Sequence, residues 1–501
     1  MSDEKLENLR RHMKTITHDI ISLINERMKI AKEIGEIKNE LNLNVVDDKI
    51  EQEIKNYILI ETKSFGLDPE FSGRVINLLI NESVNIQKTE KNKMQNTKNN
   101  IRKSSNAFSN PDKILQSEDQ KVLSSIKIRT HMDVFNKAKM LDSMGREIIH
   151  MEVGEPDFSP PIQIKDELES IYNNHRYHYT ESAGIIDLRN KLSEYLNQYN
   201  NDKLNELNAQ NIIVTVGGRF AIFCTFSSLL RPGDEIIIIE PAWPAYKDCA
   251  NYMGIKAKVI NTTLDQKWEP DITLIENAIN INTKIICLNY PNNPTGKILD
   301  DNKMRDIIEI AKKYNLFILS DEVYCNYTFK RFSSILKYSY NNSIMIGSFS
   351  KTYSMTGFRV GFASSLNKDI INKLIKIQSL SLTSVAEPMQ LCALAALSFN
   401  PLEFNQIIKK RIDLVCSRLK SMPFEFYYPD GAMYVYAKIN EDLDIDDLTL
   451  IENLLQRGVA VAPGSGFGES YKNFIRISTC IDEEKLNRGL DILEQMVNPL
   501  R

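Results

Sequence analysis

Between residues 211 and 362 the chain repeats one unit, a short aliphatic run followed by a stretch of helical amphipathicity. The runs are Asn211–Val216, Asp234–Ile239, Lys284–Asn289, Leu316–Ser320, Ile344–Ile346 and Val360–Phe362. Apolar runs without polar alternation belong to strands covered on both sides. Strand–helix–strand repetition then predicts an α/β fold, a mostly parallel sheet with helices on both faces. The C-terminal stretch mixes a helix over 401–421 with strands at Met433–Ala437 and Phe474–Ser478, the pattern of a smaller α/β lobe.

The N-terminal stretch is built differently. Leu6, Leu9, Met13, Ile16, Ile20, Leu23, Ile30, Ile34, Ile37 and Leu41 follow steps of three and four, which predicts one long helix over residues 4–42 with a narrow apolar seam. Asp47 can cap a second helix carrying Ile50, Ile54, Ile58 and Leu59 that stops near Gly66. Asp68-Pro69 opens a third, with Phe71, Val75, Leu78, Leu79 and Val84. So small an all-α three-helix module leaves its seam uncovered, which predicts a dimer. From Lys88 to Lys121 the chain is rich in Lys, Asn, Ser and Gln, a composition that cannot offset the entropy of ordering. The predicted organisation is therefore a helical domain over 1–90, a flexible linker over 91–123, and an α/β unit over 124–501. Within that unit a large domain spans about 165–395, and a small lobe combines 124–164 with 396–501.

Net charge −4 and a pI near 6.0 give no global attraction to nucleic acid or to an anionic membrane. No apolar run approaches the roughly 20 residues of a membrane helix. Seven cysteines stand singly and the N-terminus lacks the apolar core of a signal peptide, so a reduced, cytoplasmic setting is expected. His175-x-x-His178 has metal-like spacing with no completing ligand, and it reads as surface or interface histidines; no metal is expected.

The chemistry concentrates at strand ends. Ser348-Phe-Ser-Lys351 follows one strand, with Arg359 eight residues on, and Ser320-Asp321-Glu322-Val323-Tyr324 closes another. A lysine amine can form an imine with an aldehyde, a carboxylate can hold a ring nitrogen protonated, and serine and arginine can hold a phosphate. These are the needs of a pyridoxal phosphate enzyme. Val216-Gly217-Gly218-Arg219 precedes a helix expected near Phe220, where glycines let backbone N–H groups approach a phosphate. Trp243 follows the next strand and is free to stack on a ring. Asn289-Tyr-Pro-Asn-Asn293-Pro-Thr-Gly296 is too polar for a strand.

From about Ser124 to Arg501 these motifs resemble the fold-type I, class I aminotransferases, especially the aspartate and aromatic group. The resemblance implies pyridoxal 5'-phosphate as cofactor, Lys351 as Schiff-base lysine and proton carrier, and Asp321 as partner of the pyridine nitrogen. It makes Tyr324 and Asn293 donors to the ring hydroxyl oxygen and Trp243 the stacking ring. Gly217, Gly218, Ser348 and Arg359 become the phosphate grip, with Arg219 beside them in the cofactor site. Tyr179 corresponds to the tyrosine that reaches a neighbouring subunit's phosphate, which implies a homodimer. Gly154, Arg476 and Asn293 border the substrate, the first two receiving its α-carboxylate.

In the helical module Arg27 sits where the seam calls for Ile or Leu, a costly place for a charge unless it meets an anion. Lys38, eleven residues on, points the same way about 16 Å further along the axis, so the two can embrace a small dianion. Arg10 is about 25 Å from Arg27 and can serve only a partner chain's site. Leu9-Arg10, Glu26-Arg27, Gly35-Glu-Ile-Lys38, Val46-Asp47 and Glu82-Ser83-Val-Asn-Ile-Gln87 resemble the AroQ-type, all-helical chorismate mutases over residues 4–90. By that resemblance Arg10 of a partner, Arg27 and Lys38 bind carboxylates, and Lys38 and Gln87 donate to the ether oxygen. Asp47 and Glu51 approach the substrate hydroxyl and Ser83 lines the site. Ile50 stands where the family usually has arginine, which removes one cation from the second-helix wall.

Together the two resemblances imply a bifunctional enzyme of aromatic amino acid synthesis. It would convert chorismate to prephenate and transfer an amino group from glutamate or aspartate to a 2-keto acid. A general aspartate aminotransferase with a non-catalytic dimerising or regulatory module, or a pyridoxal phosphate lyase on the same fold, stays open at this point.

Overall fold

The computed structural model describes residues 2–40, 68, 75, 79–80, 83–84, 128, 130–198 and 206–498. Two compact units result, Met1–Gln116 and Ser117–Arg501. The predicted second helix, with Asp47, Ile50 and Glu51, lies outside the described residues, as do Gln87 and the predicted linker.

In the first unit the predicted long helix is present as Ser2–Glu40. Its seam residues Leu9, Met13, Ile16, Ile20, Leu23, Ile30, Ile34 and Ile37 are all exposed, from 40% to 70%. Val75, Leu79, Ile80, Ser83 and Val84 are helical, as expected for the third helix. Its inward face differs from the expected list, because Ile80 and Ser83 are buried while Val75 is exposed. Val75 and Ile80 are five residues apart, about 140° around a helix, so they cannot share a face.

The strands of the second unit are β1 (Ile149–Met151), β2 (Ile212–Thr215), β3 (Glu235–Glu240), β4 (Lys256–Asn261), β5 (Thr283–Asn289), β6 (Phe317–Asp321), β7 (Ser343–Ser348), β8 (Gly361–Ser364), β9 (Phe424–Phe426), β10 (Tyr434–Ile439), β11 (Val459–Pro463) and β12 (Phe474–Ser478). Among the described residues seven of them form one sheet in the order β2-β8-β7-β6-β5-β3-β4. Successive side chains alternate between its faces, and both faces are covered. Ile237, Ile239, Ile286, Leu288, Ile318 and Met345 meet Leu188, Leu192, Ile307 and Ile308, which come from the helices Ile186–Asn197 and Asp301–Lys313. Ile236, Ile238, Ile285, Leu319, Ile344 and Ile346 meet Ile222, Phe226, Ile370 and Leu374 from Gly217–Leu229 and Lys368–Ser381. Double burial is why these strands read as unbroken aliphatic runs.

Three details depart from the sequence reading. β8 is antiparallel to both β2 and β7, so the sheet is mixed at one position. β4 forms one edge of the sheet, where exposed Lys256 and half-exposed Lys258 broke the aliphatic signal. The helix expected near Phe220 begins at Gly217, drawing both glycines into its first turn.

The second sheet of this unit runs β1-β11-β12-β10-β9. It sets Arg476 on β12 opposite Tyr436 and places Tyr434 two residues along β10. Directly after β1 the chain enters Glu152–Phe158, the segment that carries Gly154.

Ile286 is fully buried at the centre of the large sheet, so Ile286→Ala is expected to cost about 2–5 kcal/mol. Denaturant unfolding followed by tryptophan fluorescence checks this, since Trp243 and Trp268 both lie in this unit.

Candidate active site

Parallel strands bring their carboxyl ends to one edge, where ligands bind in open α/β sheets. Here that edge presents Asn289, Asp321 and Ser348, the last residues of β5, β6 and β7; Asn289 is paired directly with Asp321. They border a cavity of about 250 Å³. Of the residues expected in the cofactor and substrate sites, Gly154, Gly218, Arg219, Trp243, Asn293, Asp321, Tyr324, Ser348, Lys351, Arg359 and Arg476 all line it. Residues from 154 to 476 in sequence thus converge on one space. Gly217 and Tyr179 do not line it, and Tyr179 stands 92% exposed.

Asp321 is buried, and its carboxylate accepts hydrogen bonds from Tyr246 Oη and, at 3.4 Å, from the Val323 amide. Asn289 Nδ2 donates to the Asp321 carbonyl at 2.9 Å, and Asn289 Oδ1 accepts the Asn293 amide at 2.9 Å. β5, β6 and the polar loop are therefore tied around the carboxylate. Burial pushes Asp321 up to about 6, against the opposing pull of Tyr246, the Val323 amide and the charge of Lys351. Tyr246 is itself driven well above its ordinary value by burial and by this carboxylate, so it stays a donor. A cation on the cavity side, such as a protonated ring nitrogen, would hold Asp321 ionised.

Lys351 lies in a single helical turn, Phe349–Thr352, capped by Ser348, whose Oγ accepts the Ser350 amide at 3.1 Å. Tyr327 Oη donates to the Lys351 carbonyl at 3.0 Å, and Lys351 Nζ donates to the Gly154 carbonyl at 2.6 Å. Burial lowers the amine below the usual lysine value. Arg476 and Arg359 lower it further, while Cys480 and Glu155 oppose. An amine poised in this way is more readily neutral, the form a nucleophile and a proton acceptor both need.

The opposite end of the cavity is cationic. Gly217 has φ +73°, and a Cβ there would come within 2.8 Å of Arg359 Nη2; one at Gly361 would lie 2.5 Å from the Gly217 carbonyl carbon and the Gly218 nitrogen. Only glycines permit this approach of β8 to the helix N-terminus, where backbone N–H groups point outward. Arg219 lies over the face of Trp243, 4.5 Å from the ring centre, and its affinity for a proton is reduced by burial and then by the charge of Arg359. Two guanidinium groups that repel each other beside a helix N-terminus suit an intervening phosphate.

Arg476 is 2% exposed. Its Nη1 donates to Asn293 Oδ1 at 2.8 Å and its Nη2 to the Glu152 carbonyl, while Nε is buried without a partner. The guanidinium lies 4.3 Å from the Tyr434 ring centre and 4.8 Å from that of Phe467. Tyr434 Oη in turn lies 2.8 Å from Tyr324 Oη. A Cβ on residue 154 would fall 1.7 Å from the Tyr434 hydroxyl, so glycine is required there to leave room between strap and tyrosine.

Sequence reading missed Tyr246, Asn289 and Tyr434 as site residues. Asn289 opens a motif already singled out, and Tyr246 stands three residues after Trp243, so both were within reach. Tyr434 sits in a strand, and only the fold brings it to Tyr324. In the helical unit Arg10 is exposed, and Arg27 and Lys38 are half-buried, with Arg27 Nε buried and unpartnered. Ser83 is buried and donates to the Leu79 carbonyl at 2.7 Å, a bond within its own helix.

Because its value lies above that of an ordinary carboxyl group, Asp321 binds its proton more tightly in the folded apoprotein than in the unfolded chain. Ionising it therefore costs stability as pH rises from about 4 through about 6. Asp321→Asn is expected to make the apoprotein more stable than wild type by about 1–3 kcal/mol at neutral pH, a gap that closes on acidification, while activity collapses. Denaturant midpoints at a series of pH values check this.

The buried carboxylate, the lysine and the cationic end match the three parts of pyridoxal 5'-phosphate: ring nitrogen, aldehyde and phosphate. The comparisons with known proteins agree with this. Residues 146–493 match the family model "Aminotransferase class I and II", and residues 9–88 match "Chorismate mutase type II". An aspartate aminotransferase of Thermotoga maritima is 33% identical over 381 residues, 75% of this chain and 98% of that protein, and its crystal structure superposes with a TM-score of 0.70 over 99% of its length. The (5-formylfuran-3-yl)methyl phosphate transaminase of Methanocaldococcus jannaschii is 35% identical over 375 residues, 73% of this chain and 96% of that protein. An aromatic aminotransferase of Pyrococcus horikoshii is 28% identical, with a TM-score of 0.67 over 70% of this chain and 96% of its own. The chain thus belongs to the class I and II aminotransferases, pyridoxal phosphate-dependent transaminases, and carries a chorismate mutase type II domain ahead of the transaminase fold.

Proposed function

We propose that this enzyme serves aromatic amino acid synthesis. Its first unit converts chorismate to prephenate, and its second transfers an amino group from glutamate or aspartate to prephenate or to an aromatic 2-keto acid derived from it. The observation that carries this reading is the joining, in one chain, of a chorismate mutase type II domain to a transaminase cavity holding both Lys351 and Asp321. The aromatic aminotransferase among its structural neighbours supports it. The Thermotoga relative supports a second reading, a general aspartate aminotransferase.

When bound, pyridoxal phosphate supplies an electron-accepting ring that stabilises negative charge at a substrate Cα. Asp321, held in place by Tyr246, would pair with the ring nitrogen. Lys351 would carry the cofactor, and its amine, when free, would serve to hold the proton taken from the substrate Cα. Arg476, with the Gly154 segment, takes the α-carboxylate on its unpartnered Nε edge, and Asn293 keeps the guanidinium aligned. Tyr324 and Asn293 would hold the ring hydroxyl, Trp243 would stack on the ring, and Gly217, Gly218, Arg219, Ser348 and Arg359 would hold the phosphate.

The mutase rearrangement is unimolecular, so the module need only hold a compact conformer and stabilise charge on the breaking ether bond. Arg27, with its buried unpartnered Nε, and Lys38 are the cations for this, with Arg10 from a second copy. Asp47, Glu51, Ser83 and Gln87 complete the site. The exposed seam of Ser2–Glu40, about 58 Å long, is covered by that second copy, and Tyr179 extends toward the partner's phosphate. A homodimer in the cytoplasm is the working form.

Lys351→Ala is expected to remove the visible chromophore that borohydride traps and to abolish transamination. Half-reaction spectra with glutamate, aspartate, prephenate and phenylpyruvate test the substrate. Preference for prephenate or phenylpyruvate as acceptor supports aromatic synthesis, and exclusive use of oxaloacetate and 2-oxoglutarate rejects it. In the full chain, loss of chorismate absorbance should fall by about 10²–10³ in kcat/KM for Arg27→Ala, as for a charge-stabilising donor. No activity above background in the wild type would make the module non-catalytic.

A further inference from the structure

The residues after β1 form a strap over the lysine turn. Lys351 Nζ donates to the Gly154 carbonyl at 2.6 Å, Thr356 Oγ1 donates to Glu155, and Ser354 Oγ donates to the Pro156 carbonyl at 3.1 Å. Arg411 grips Asp157 with both terminal nitrogens, at 2.7 and 2.9 Å. At the upstream end, Arg476 Nη2 donates to the backbone carbonyl of Glu152. The Glu152 side chain has no part in that bond. It is fully buried, with Oε2 unpartnered and Oε1 2.8 Å from His150 Nδ1.

His150 reaches a second carboxylate on its other side, with Nε2 2.8 Å from Asp142 Oδ2. Both ring nitrogens thus face acceptors. A neutral imidazole has one N–H and one lone pair, so it can bond only one carboxylate and must repel the other; the cation donates to both. Ile149 and Met151 face Gly489 on the helix Glu483–Val497, which turns His150 toward the helix His131–Ser143. From that helix Phe135 lies 6.3 Å away ring to ring, Asp142 is the direct partner, and Lys139 approaches Asp142 at 4.0 Å. Glu152 is the remaining charged neighbour. A buried glutamate needs such a cation, since an unpaired charge in that position is strongly disfavoured.

We propose that Asp142, His150 and Glu152 form a proton-linked clasp that positions Arg476 for the substrate carboxylate, closed while His150 is cationic and released when it loses its proton. The three are positioning residues that act through the Glu152 backbone, and the proposal rests on Arg476 being the carboxylate receptor. The hydrogen bond that His150 donates to Glu152, opposed by burial and aided by Asp142, raises His150 above the ordinary imidazole value. A raised folded-state value means that the clasp is fully formed below the ordinary imidazole range and is lost as pH climbs through the raised one.

The test uses the full-length holoenzyme and maleate, a dicarboxylate with no amino group, from about pH 6 to about pH 9 across the imidazole range. Against wild type stand His150→Gln, the charge-free double variant His150→Gln/Glu152→Gln, which covers a single variant that fails to fold, and Arg476→Lys. In wild type the maleate Kd is expected to weaken about fivefold or more over this range, and in the double variant to be weak and flat. The donor KM should rise in His150→Gln and in the double variant with kcat within about twofold, the split expected when binding is lost more than chemistry. The His150 ring signal, assigned by its loss in His150→Gln, should titrate above 6.5, and higher still with maleate bound. Equal maleate Kd and equal pH slope in wild type and double variant, with Arg476→Lys unable to bind, overturns the clasp and leaves the carboxylate site standing. Undiminished maleate binding by Arg476→Lys overturns the receptor and the clasp together.

Discussion

A carboxyl group buried at the end of β6 is the constraint around which the cofactor lobe is arranged. Asp321 cannot be hydrated, so its charge survives only through what surrounds it: a phenol from the helix Ala245–Tyr252, a backbone amide two residues on, and a lysine in the helical turn after the next strand. Each of those partners is fixed by another element. Asn289 ties the loop after β5 to the same residue, and the loop in turn aligns Arg476 through Asn293. A protein selected for stability alone would place an aliphatic residue here. Retaining the acid makes sense only if a cation completes the pair, and the cavity side is where that cation must stand.

The sequence is most legible where burial is complete. β3, β5, β6 and β7 are covered on both faces, so no polar alternation interrupts them and their limits agree with the expected runs to within a residue or so. Strand direction leaves no such trace, which is why β8 was readable as the run Val360–Phe362 while its antiparallel course was not. An edge strand satisfies only one side, and the lysines of β4 hid it. In the site, the residues carrying ionisable or conformational peculiarity were readable: a lysine after a strand, paired glycines, an acid at a strand end. Tyr434 was not, because a buried tyrosine acquires its role from a partner more than 100 residues distant, here Tyr324. Arg27 shows the intermediate case, since a cation in an apolar seam announces a ligand without naming it.

The two sheets of the second unit divide the work. The large sheet supplies the edge that carries Asn289, Asp321 and Ser348. The small one brings Arg476, Tyr434 and, through β1, the Gly154 segment to the same cavity. The cavity is therefore lined from both sheets. Gly154 touches residues of each side, with a lysine amine on its carbonyl and a tyrosine hydroxyl where a methyl group would be.

β7 and β8 are hydrogen-bonded neighbours, with Ser348 opposite Gly361. The residues between them, including Lys351 and Arg359, make up one closed hairpin. Amine and guanidinium consequently belong to one short connection whose two ends the ladder keeps side by side. Any group bound by both would be fastened to a single closed loop of backbone, its span set by the chain between residues 351 and 359.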